Sequence, residues 1–453
     1  MKITSQNIIN NNLNQKSNKN NQKSFKGDLG LKVAEVFIKS QENLSSTRFI
    51  QDTATNWAPK AVFARSKADF AEMSFLEFLE SGIFYFALPV FGEKLFRNKM
   101  FKKLQPENLK NVVNEQIPKS IEQITKNKAL TNEVKKRAIS TKAGILLACA
   151  AIPIAEYTLS FAKNLFTLKT FKKSNFNNIA NLDKNQGEKE DKAQQQKVEQ
   201  NAKKYLIKAA VGSAIGVGAG LALASLGHRS DKLQNVAKTI LEPGKAVANG
   251  LKKIGVKSEK VAKTLSKISL DFDGENGKLA LSKGQLALTA IVGLFGYSKA
   301  AEDRGKLDVA EVWTRVPLVV FYTIFGGELF EKGFTKILQK KNKFPDLIKK
   351  TADGALNLPK QVELPKIAET VAKNKGTDVA KELSRLTKEK AIITAIPYAF
   401  SLLFMGFTLS AITRLWTQYR YNHQEKQKEV NPFETFGCIS KKNTPEIFKE
   451  FVR

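Results

Sequence analysis

Apolar segments alternate with lysine-rich polar segments along this chain, and the apolar segments differ in length. The longer ones are residues 143–166, 209–227 and 391–413, and the shorter ones are residues 81–92, 284–298 and 316–327. A helix that crosses a bilayer needs about twenty apolar residues, whereas runs of about ten to fourteen are typical of buried core helices or re-entrant segments. Residues 391–413 carry no charge and are the best candidate for a full crossing. The pattern predicts an all-α protein with helices embedded in a membrane.

A set of residues from the first half of the chain recurs in the second half at a nearly constant distance. Pro118-Lys119, Glu122 and Lys126-Asn127-Lys128 return as Pro365-Lys366, Glu369 and Lys373-Asn374-Lys375, each displaced by 247 positions. Further matches are Ser66-Lys67-Ala68 with Ser298-Lys299-Ala300, Thr141-Lys142 with Thr387-Lys388, and Ala151-Ile152-Pro153 with Ala395-Ile396-Pro397. The spacing changes from 232 to 247 and back to 244 along the chain, as small insertions would make it, and landmarks repeated in this way indicate an internal duplication. We interpret the chain as two copies of a unit in which a basic linker joins two apolar segments, with a Gly-rich helix between the copies.

The same patterns divide the chain into segments. They are a disordered polar tail (1–46), the first repeat unit (47–171), a flexible polar linker (172–204), the Gly-rich apolar helix (205–228), a Lys-rich amphipathic connector with a short hairpin (229–284), the second repeat unit (285–416) and a polar tail (417–453). The first tail has too few apolar residues to offset the entropy of ordering it. It also lacks the apolar core and small-residue cleavage site of a secretory signal, so we expect no cleaved signal peptide.

The Lys-rich linkers of the two copies, residues 97–142 and 331–390, each carry an apolar stripe at helical spacing. In the first linker the stripe is formed by Val112, Val113, Ile117, Ile121 and Ile124. Lysines opposite such a stripe suit a helix that lies on an anionic membrane surface. A solvated helix that packs on its own protein has the same pattern, and the sequence leaves both alternatives open.

Glycines and prolines mark positions where the predicted helices pack closely or bend. Gly212, Gly216 and Gly220 are spaced by four residues, so they share one helix face and let another backbone approach closely. This face predicts helix packing, within the chain or through self-association of two chains. Pro153 and Pro397 lie at matching places in the second apolar segment of each copy, where we predict helix kinks.

Residues 271–277, Asp-Phe-Asp-Gly-Glu-Asn-Gly, resemble a calcium-binding loop only superficially. The turn glycine comes one position late, and no glutamate occupies the twelfth position, where Ser282 or Lys283 stands instead. Apolar residues alternate on both sides of Asn276-Gly277, which is the pattern of a short hairpin. We therefore expect a hairpin and no metal site here.

The charge of the chain indicates an anionic partner. Its 74 Lys and Arg residues exceed its 43 Asp and Glu residues, which gives a net charge of +31. Anionic lipid, nucleic acid or an acidic polymer would all be attracted. Proteins that bind single-stranded nucleic acid stack the nucleobases on aromatic side chains that alternate with basic residues. The 30 phenylalanines of this chain lie mostly in apolar runs instead. We therefore expect an anionic lipid membrane as partner and argue against nucleic acid.

Few residues are suited to catalysis or to metal binding. Two cysteines and two histidines argue against a disulfide framework and against a His-rich metal site. We find no phosphate-binding loop, no dinucleotide-binding glycine pattern and no Ser or Cys with a His partner. The sequence therefore predicts no catalytic, cofactor-binding or metal-binding residues, no cofactor and no identifiable small-molecule substrate, and we expect no enzyme activity.

Two glutamates at similar places in the copies are the nearest approach to a functional pair. Glu93 and Glu328 each follow a glycine and precede a Leu-Phe pair. Carboxylates near a bilayer usually pair with a cation or line a wet cavity. The pair either faces across a pseudo-symmetric interface, as in transporters built from repeats, or ends two apolar helices at the head-group level. We favour the second interpretation. Glu156 interrupts an apolar segment but has Phe400 at the matching position.

These observations favour a multi-pass or partly embedded basic membrane protein with a structural or scaffolding role at an anionic membrane face. The composition suits the inner membrane of a bacterium, with the N-terminus and both linkers on the cytoplasmic side. The first alternative is a transporter or channel built from the repeats. The second alternative is a basic peripheral or nucleic-acid-binding helical protein.

Overall fold

The fold is almost entirely helical. The computed structural model describes residues 30–36, 38, 53, 56–183, 190–253, 265, 268–275, 277–350 and 356–430. The strands of this part of the chain form two short antiparallel pairs, and helices make up most of the rest. The prediction of an all-α fold is confirmed. Most of the predicted N-terminal tail and the last part of the predicted C-terminal tail, from residue 431 onward, lie outside the described residues.

The helices and strands follow one another in this order. The α-helices are α1 (Lys67–Gly82), α2 (Lys110–Gln116), α3 (Ile121–Lys126), α4 (Asn132–Ala148), α5 (Ala151–Phe171), α6 (Phe176–Ile179), α7 (Lys192–Leu226), α8 (Asp231–Leu241), α9 (Pro243–Lys253), α10 (Lys283–Ala301), α11 (Lys306–Phe321), α12 (Gly327–Lys340), α13 (Leu364–Lys375), α14 (Val379–Phe400) and α15 (Leu409–Val430). The π-helical segments are Ile83–Phe101, Tyr322–Gly326 and Ser401–Thr408, and short 3₁₀ turns are Lys102–Leu104, Gly227–Arg229 and Gln361–Glu363. The strands are β1 (Asp273–Glu275), β2 (Lys278–Ala280), β3 (Lys349–Lys350) and β4 (Leu356–Asn357).

Two compact units make up the chain. The smaller consists of Met1–Asn43 and Phe334–Ala395, and the larger of Leu44–Gly333 and Ile396–Arg453. The core of the smaller unit joins α13 and α14 through Leu364, Ala368 and Leu386. Asp346 accepts hydrogen bonds from Lys375 and Arg385, at 2.7 Å each, and these bonds hold the pKa of its carboxyl below the usual range.

The backbones of α4 and α7 touch in the larger unit because glycines meet at their contact. A Cβ at position 220 would lie 2.3 Å from the carbonyl oxygen of Gly144, and a Cβ at position 216 would lie 2.8 Å from that of Leu147. Only residues without a side chain allow such a separation. Two hydrophobic clusters surround the contact, one of which includes Ile145, Ala148 and Ala224.

Four of the five residues of the apolar stripe in the first linker are buried in this unit, and Val112 is 38% exposed. Val113, Ile121 and Ile124 pack with residues of α4, α7 and α8 in one core cluster, and Ile117 belongs to the neighbouring cluster. The stripe could have served a helix on a membrane surface or a helix that packs on its own protein, and the structure shows the second. The lysines opposite the stripe, such as Lys126, stay exposed.

A hairpin covers one end of this core. Strands β1 and β2 pair through Glu275 and Lys278, so a two-residue connection joins them, and Gly277 has a φ of 73°. A φ in this range is adopted readily by glycine, as a tight hairpin turn requires. Phe272 and Leu279 enter the core. The hairpin is held from its base by Asp271, which pairs with the buried Lys142 at 2.5 Å between Oδ1 and Nζ.

Three prolines, Pro153, Pro317 and Pro397, lie close to irregular helix geometry. Pro153 is the third residue of α5, where its missing N–H has no helical partner to lose, and the helix is interrupted just before it, between α4 and α5. Pro397 lies four residues before the π-helical segment that follows α14, and Pro317 lies five residues before the one that follows α11. A proline leaves one carbonyl of the preceding turn without its donor, which favours a local change of hydrogen bonding.

Candidate functional site

Four helical stretches are long and apolar enough to cross a membrane, by length and composition. They are Lys67–Leu104, Asn132–Phe171, Lys192–Arg229 and Val379–His423. The predicted spans 143–166, 209–227 and 391–413 lie in the last three of these stretches. The first stretch contains the shorter apolar run 81–92, extended on both sides by amphipathic helix.

Helix α1 has its polar and apolar faces reversed relative to a helix of a water-soluble protein. Phe70 and Phe78 are 41% and 47% exposed, whereas Glu72 and Glu77 are only 5% and 4% exposed. The acidic residues recur at helical spacing, so they share the face that points into the protein. Helix α11 has the same arrangement, since Asp308 is buried and Phe321 is exposed.

Charged side chains from distant parts of the larger unit meet between these helices. We call them the buried charge cluster, and they are Lys60, Arg65, Asp69, Glu72, Glu77, Lys163, Arg304, Asp308, Glu311, Arg315 and Arg414. Segment 56–66, α1, α5, the connection between α10 and α11, α11 and α15 contribute to it. Charges removed from water are stable in such a place only when they are paired and hydrogen-bonded.

Arg304 is the most deeply buried cation of the cluster. Its guanidinium, 1% exposed, donates to Glu72 Oε1 at 2.8 Å and to Asn164 Oδ1 at 2.9 Å. Its Nε also lies 3.1 Å from Asp308 Oδ2. Burial alone would lower the pKa of this guanidinium, but Asp308 and Glu72 outweigh burial and raise it. Burial raises the pKa of the Asp308 carboxyl, although Arg304 opposes this shift.

A second part of the cluster is organised by Arg65. Its two terminal nitrogens donate to the two carboxylate oxygens of Glu311 at 3.0 and 3.1 Å, which is a bidentate pair. Its Nε donates to Asp69 Oδ2 at 3.2 Å, and Arg414 donates to the same oxygen at 3.0 Å. Glu311 and Asp69 raise the pKa of Arg65 against the opposing effect of burial. Phe176 lies within 6 Å of the guanidinium carbons of Arg65 and Arg304, so its ring adds a cation–π contact to both.

A third part joins Lys60 and Arg315 through Glu77. The Lys60 ammonium donates to Glu77 Oε1, and the Arg315 guanidinium lies 3.6 Å from the same oxygen. The carboxylates and cations of the cluster nearly balance, so the excess positive charge of the chain must lie elsewhere, mostly on the protein surface. These pairs join four helices, α1, α5, α11 and α15, with segment 56–66 and the connection between α10 and α11.

Two further carboxylates lie beside the cluster and share one hydroxyl group. The Tyr297 hydroxyl donates to Glu156 Oε1 and also interacts with Glu80. Glu156 is 2% exposed, and its Oε2 has no hydrogen-bond partner in the part of the chain that the structure describes. Gly293 makes room for it, because a Cβ at position 293 would lie 2.8 Å from Glu156 Cγ.

The structure places the residues singled out in the sequence as follows. Glu93 accepts hydrogen bonds from Arg97 Nη1 at 2.6 Å and from the Leu279 amide at 3.1 Å, so it anchors the hairpin to the π-helical segment Ile83–Phe101. Glu328 lies in α12, and its side chain is outside the described part of the chain, so the proposed pair of glutamates stays a prediction. Gly216 and Gly220 lie against α4, and Gly212 makes only an ordinary contact with Ile154 at 3.6 Å.

Sequence reasoning missed the buried charge cluster, although signals for it exist. The acidic residues of α1 recur at spacings of three to five positions just before the apolar run 81–92, and Arg414 and Thr417 lie three positions apart just after the run 391–413. The segment from Lys299 to Arg315 is also balanced in charge within a very basic chain. Both patterns indicate polar faces turned toward each other.

The donor types in the cluster do not suggest a metal centre. Among the described residues, no group of three or more His, Cys, Asp or Glu side chains could hold a metal ion. The carboxylates of the cluster instead form ion pairs with arginines and lysines.

In comparisons with known proteins, no family model, no curated protein and no solved structure matches the chain.

Proposed function

We propose that this chain is a multi-pass membrane protein that acts as a structural scaffold at an anionic membrane face and is not an enzyme. The observation that carries the proposal is the reversed distribution of side chains in the larger unit. Charged residues such as Arg304 and Glu72 are buried, whereas large apolar residues such as Phe70 and Phe321 are exposed on the same helices. In water the exposed apolar side chains would be costly, whereas in a bilayer they contact lipid chains and the charged side chains are kept away from the lipid.

The Gly-rich helix α7 supports the same setting. Ile207, Val211 and Ile215 form a stripe that is between 54% and 66% exposed, while Gly216 and Gly220 on another face of the helix meet α4. We propose that this stripe contacts lipid. Self-association of two chains would use this stripe, because Gly216 and Gly220 already have a partner within the chain.

A basic surface that suits anionic lipid lies on α8 and α9. Lys232, Lys238 and Lys245 are exposed there beside the exposed side chains of Val236 and Val247. Each lysine near an anionic leaflet contributes about 1 kcal/mol of attraction. Of the Lys-rich stretches, this connector therefore suits a membrane surface better than the first linker, whose stripe is buried in the protein.

We infer also that the chain arose by duplication. Helices α4 and α14 begin at Asn132 and Val379, which are 247 positions apart, the spacing of the repeated sequence landmarks. Helices α1 and α11 each continue into a π-helical segment. At the spacing of 232 positions that relates Ser66 to Ser298, Glu72 is equivalent to Arg304, and these two side chains pair with each other. Contact between equivalent positions is expected beside a pseudo-twofold axis.

Alkaline carbonate extraction of membranes tests the embedding. We expect the full chain to stay in the membrane pellet through carbonate and through a high-salt wash, because exposed residues such as Phe70 and Ile215 contact lipid chains. A protein held by electrostatics alone would be released by salt, since 1 M salt reduces the screening length to about 3 Å. Release by salt would contradict the proposal and would support the peripheral alternative.

A proton-coupled transporter is the second candidate function, and one observation favours it. Glu156 is a buried carboxyl group with no ion-pair partner among the residues that the structure describes, and such groups within membrane helices are typical of proton pathways. The scaffold proposal does not require this feature.

Proton uptake into vesicles distinguishes the two candidates. With purified full-length protein and an imposed pH gradient, the scaffold proposal expects the same uptake as in empty vesicles. The transporter candidate expects additional uptake that Glu156→Gln abolishes and that Glu93→Gln, which changes a carboxylate paired with Arg97, leaves intact. Additional uptake of this kind would replace the scaffold by the transporter.

A further inference from the structure

Glu156 differs from the other buried carboxylates of the larger unit. Glu72, Glu77 and Asp308 each lie within ion-pair distance of an arginine or lysine. In the described part of the chain, no ion pair joins Glu156 to any cation, and its polar contact is the Tyr297 hydroxyl. Among the described residues, an ionised carboxylate at this depth would therefore have no counter-charge within ion-pair distance.

A carboxyl group in such surroundings avoids the cost of burial by keeping its proton. Desolvation disfavours the charged form of an acid, and a nearby second carboxylate disfavours it further. Glu80 supplies that second carboxylate, since it interacts with Glu156 and with the same tyrosine hydroxyl. The Tyr297 hydroxyl donates to Oε1, which leaves Oε2 as the oxygen that carries the proton.

The two carboxyl groups have unequal surroundings, and this difference assigns the proton. Glu80 interacts with the cationic groups of Lys60 and Arg315 and is only half-buried. Glu156 faces Tyr297 of α10 and Glu80 of α1, and it packs beside Gly293. Two acids whose surroundings differ in this way divide into one charged and one neutral group.

We propose that Glu156 is a proton-binding site in the membrane-embedded part of the chain and holds its proton on Oε2, the carboxyl oxygen without a hydrogen-bond partner among the described residues. The proposal deepens the second candidate function, on which its consequence for transport rests.

Infrared spectroscopy of the full-length protein in vesicles tests the protonation state directly. At neutral pH we expect a carbonyl stretching band of a protonated carboxylic acid, which Glu156→Gln removes and which Glu93→Gln leaves unchanged. The band should disappear at alkaline pH. A spectrum without this band in the unaltered protein, or a band that survives Glu156→Gln, would overturn the proposal.

Two further variants keep the test decisive if Glu156→Gln does not fold. Tyr297→Phe removes the hydrogen bond to Oε1, so the band should move to higher frequency and remain. Gly293→Ala, which brings a Cβ against Glu156 Cγ, should also shift the band. A band unaffected by both variants would belong to another acid and would contradict the assignment.

Added sodium ions distinguish a proton-binding site from a metal-cation site. At constant neutral pH, added sodium chloride should leave the band unchanged, because the site binds a proton. Loss of the band with rising sodium would make the site a metal-cation site and overturn the proposal. Retention in carbonate-washed membranes is measured on the same samples, so the loss of the proton site and the failure of membrane embedding are distinguishable.

Discussion

Arg304→Met lowers the free energy of unfolding of the larger unit by about 3–5 kcal/mol, the usual cost of removing one partner from a buried ion pair. The variant keeps most of the side-chain volume but removes the charge. Glu72 and Asp308, both less than 10% exposed, then remain buried without the cation that neutralises them. Lys163, 3.7 Å from Glu72, compensates only in part. The loss is measured by unfolding the protein with denaturant in detergent. The reactivity of the buried Cys149 thiol reports the unfolding, in a Cys438→Ser background.

A surface ion pair of similar spacing serves as the control. Lys299 pairs with Glu302 at 2.5 Å, but both side chains are about half exposed. Lys299→Met should cost less than about 1 kcal/mol, as exposed pairs usually do. The double variant Arg304→Met with Glu72→Gln should recover part of the loss, because one buried charge is removed with its partner. Equal effects of Arg304→Met and Lys299→Met would show that the cluster does not stabilise the fold.

Gly220→Val destabilises the packing of α7 on α4 by about 1–3 kcal/mol or more, because overpacking forces the backbones apart. The first atom added would lie 2.3 Å from the Gly144 carbonyl oxygen, and a backbone atom cannot move aside as a flexible side chain can. Gly216→Ala should cost less, since its Cβ would lie 2.8 Å from the Leu147 oxygen. The same thiol-reactivity assay reports the change, because Cys149 follows α4 directly.

The matched control for this prediction lies two residues away on the same helix. Gly218 faces open space, with no atom within 4 Å of an added Cβ. Gly218→Ala should therefore be neutral or stabilise α7 by up to about 1 kcal/mol through the better helix propensity of alanine. If the substitutions at positions 218 and 220 had the same effect in membranes, the contact between α4 and α7 would not be the one described.

Local patterns in the sequence were sufficient to predict the helical class, the apolar segments and the hairpin. Each depends on residues that are near one another along the chain: helix formation on a run of apolar and helix-favouring residues, and the hairpin on alternation around Asn276-Gly277. The spacing of Gly212, Gly216 and Gly220 predicted a packing face, and Gly216 and Gly220 lie against α4. It did not identify the partner helix or show that Gly212 makes the loosest contact of the three.

Only the tertiary structure decided how the charged residues are used. Glu72 and Arg304 are 232 positions apart and Arg65 and Glu311 are 246 positions apart, yet each pair is in hydrogen-bond contact. A charged residue inside or beside an apolar segment looks the same in the sequence whether its side chain faces water, lipid or an opposite charge. Glu93 and Glu156 illustrate the difference, since Glu93 pairs with Arg97 and Glu156 has no ion-pair partner in the described part of the chain.

The sequence by itself thus determined the fold class and the segments suited to a membrane, because hydrophobic burial is read from the composition of each segment. The tertiary structure decided which of the described carboxylates lie beside a cation and that Glu156 does not. The free energy of a buried charge depends on the partners that surround it in space, and those partners are brought together from helices far apart in the chain.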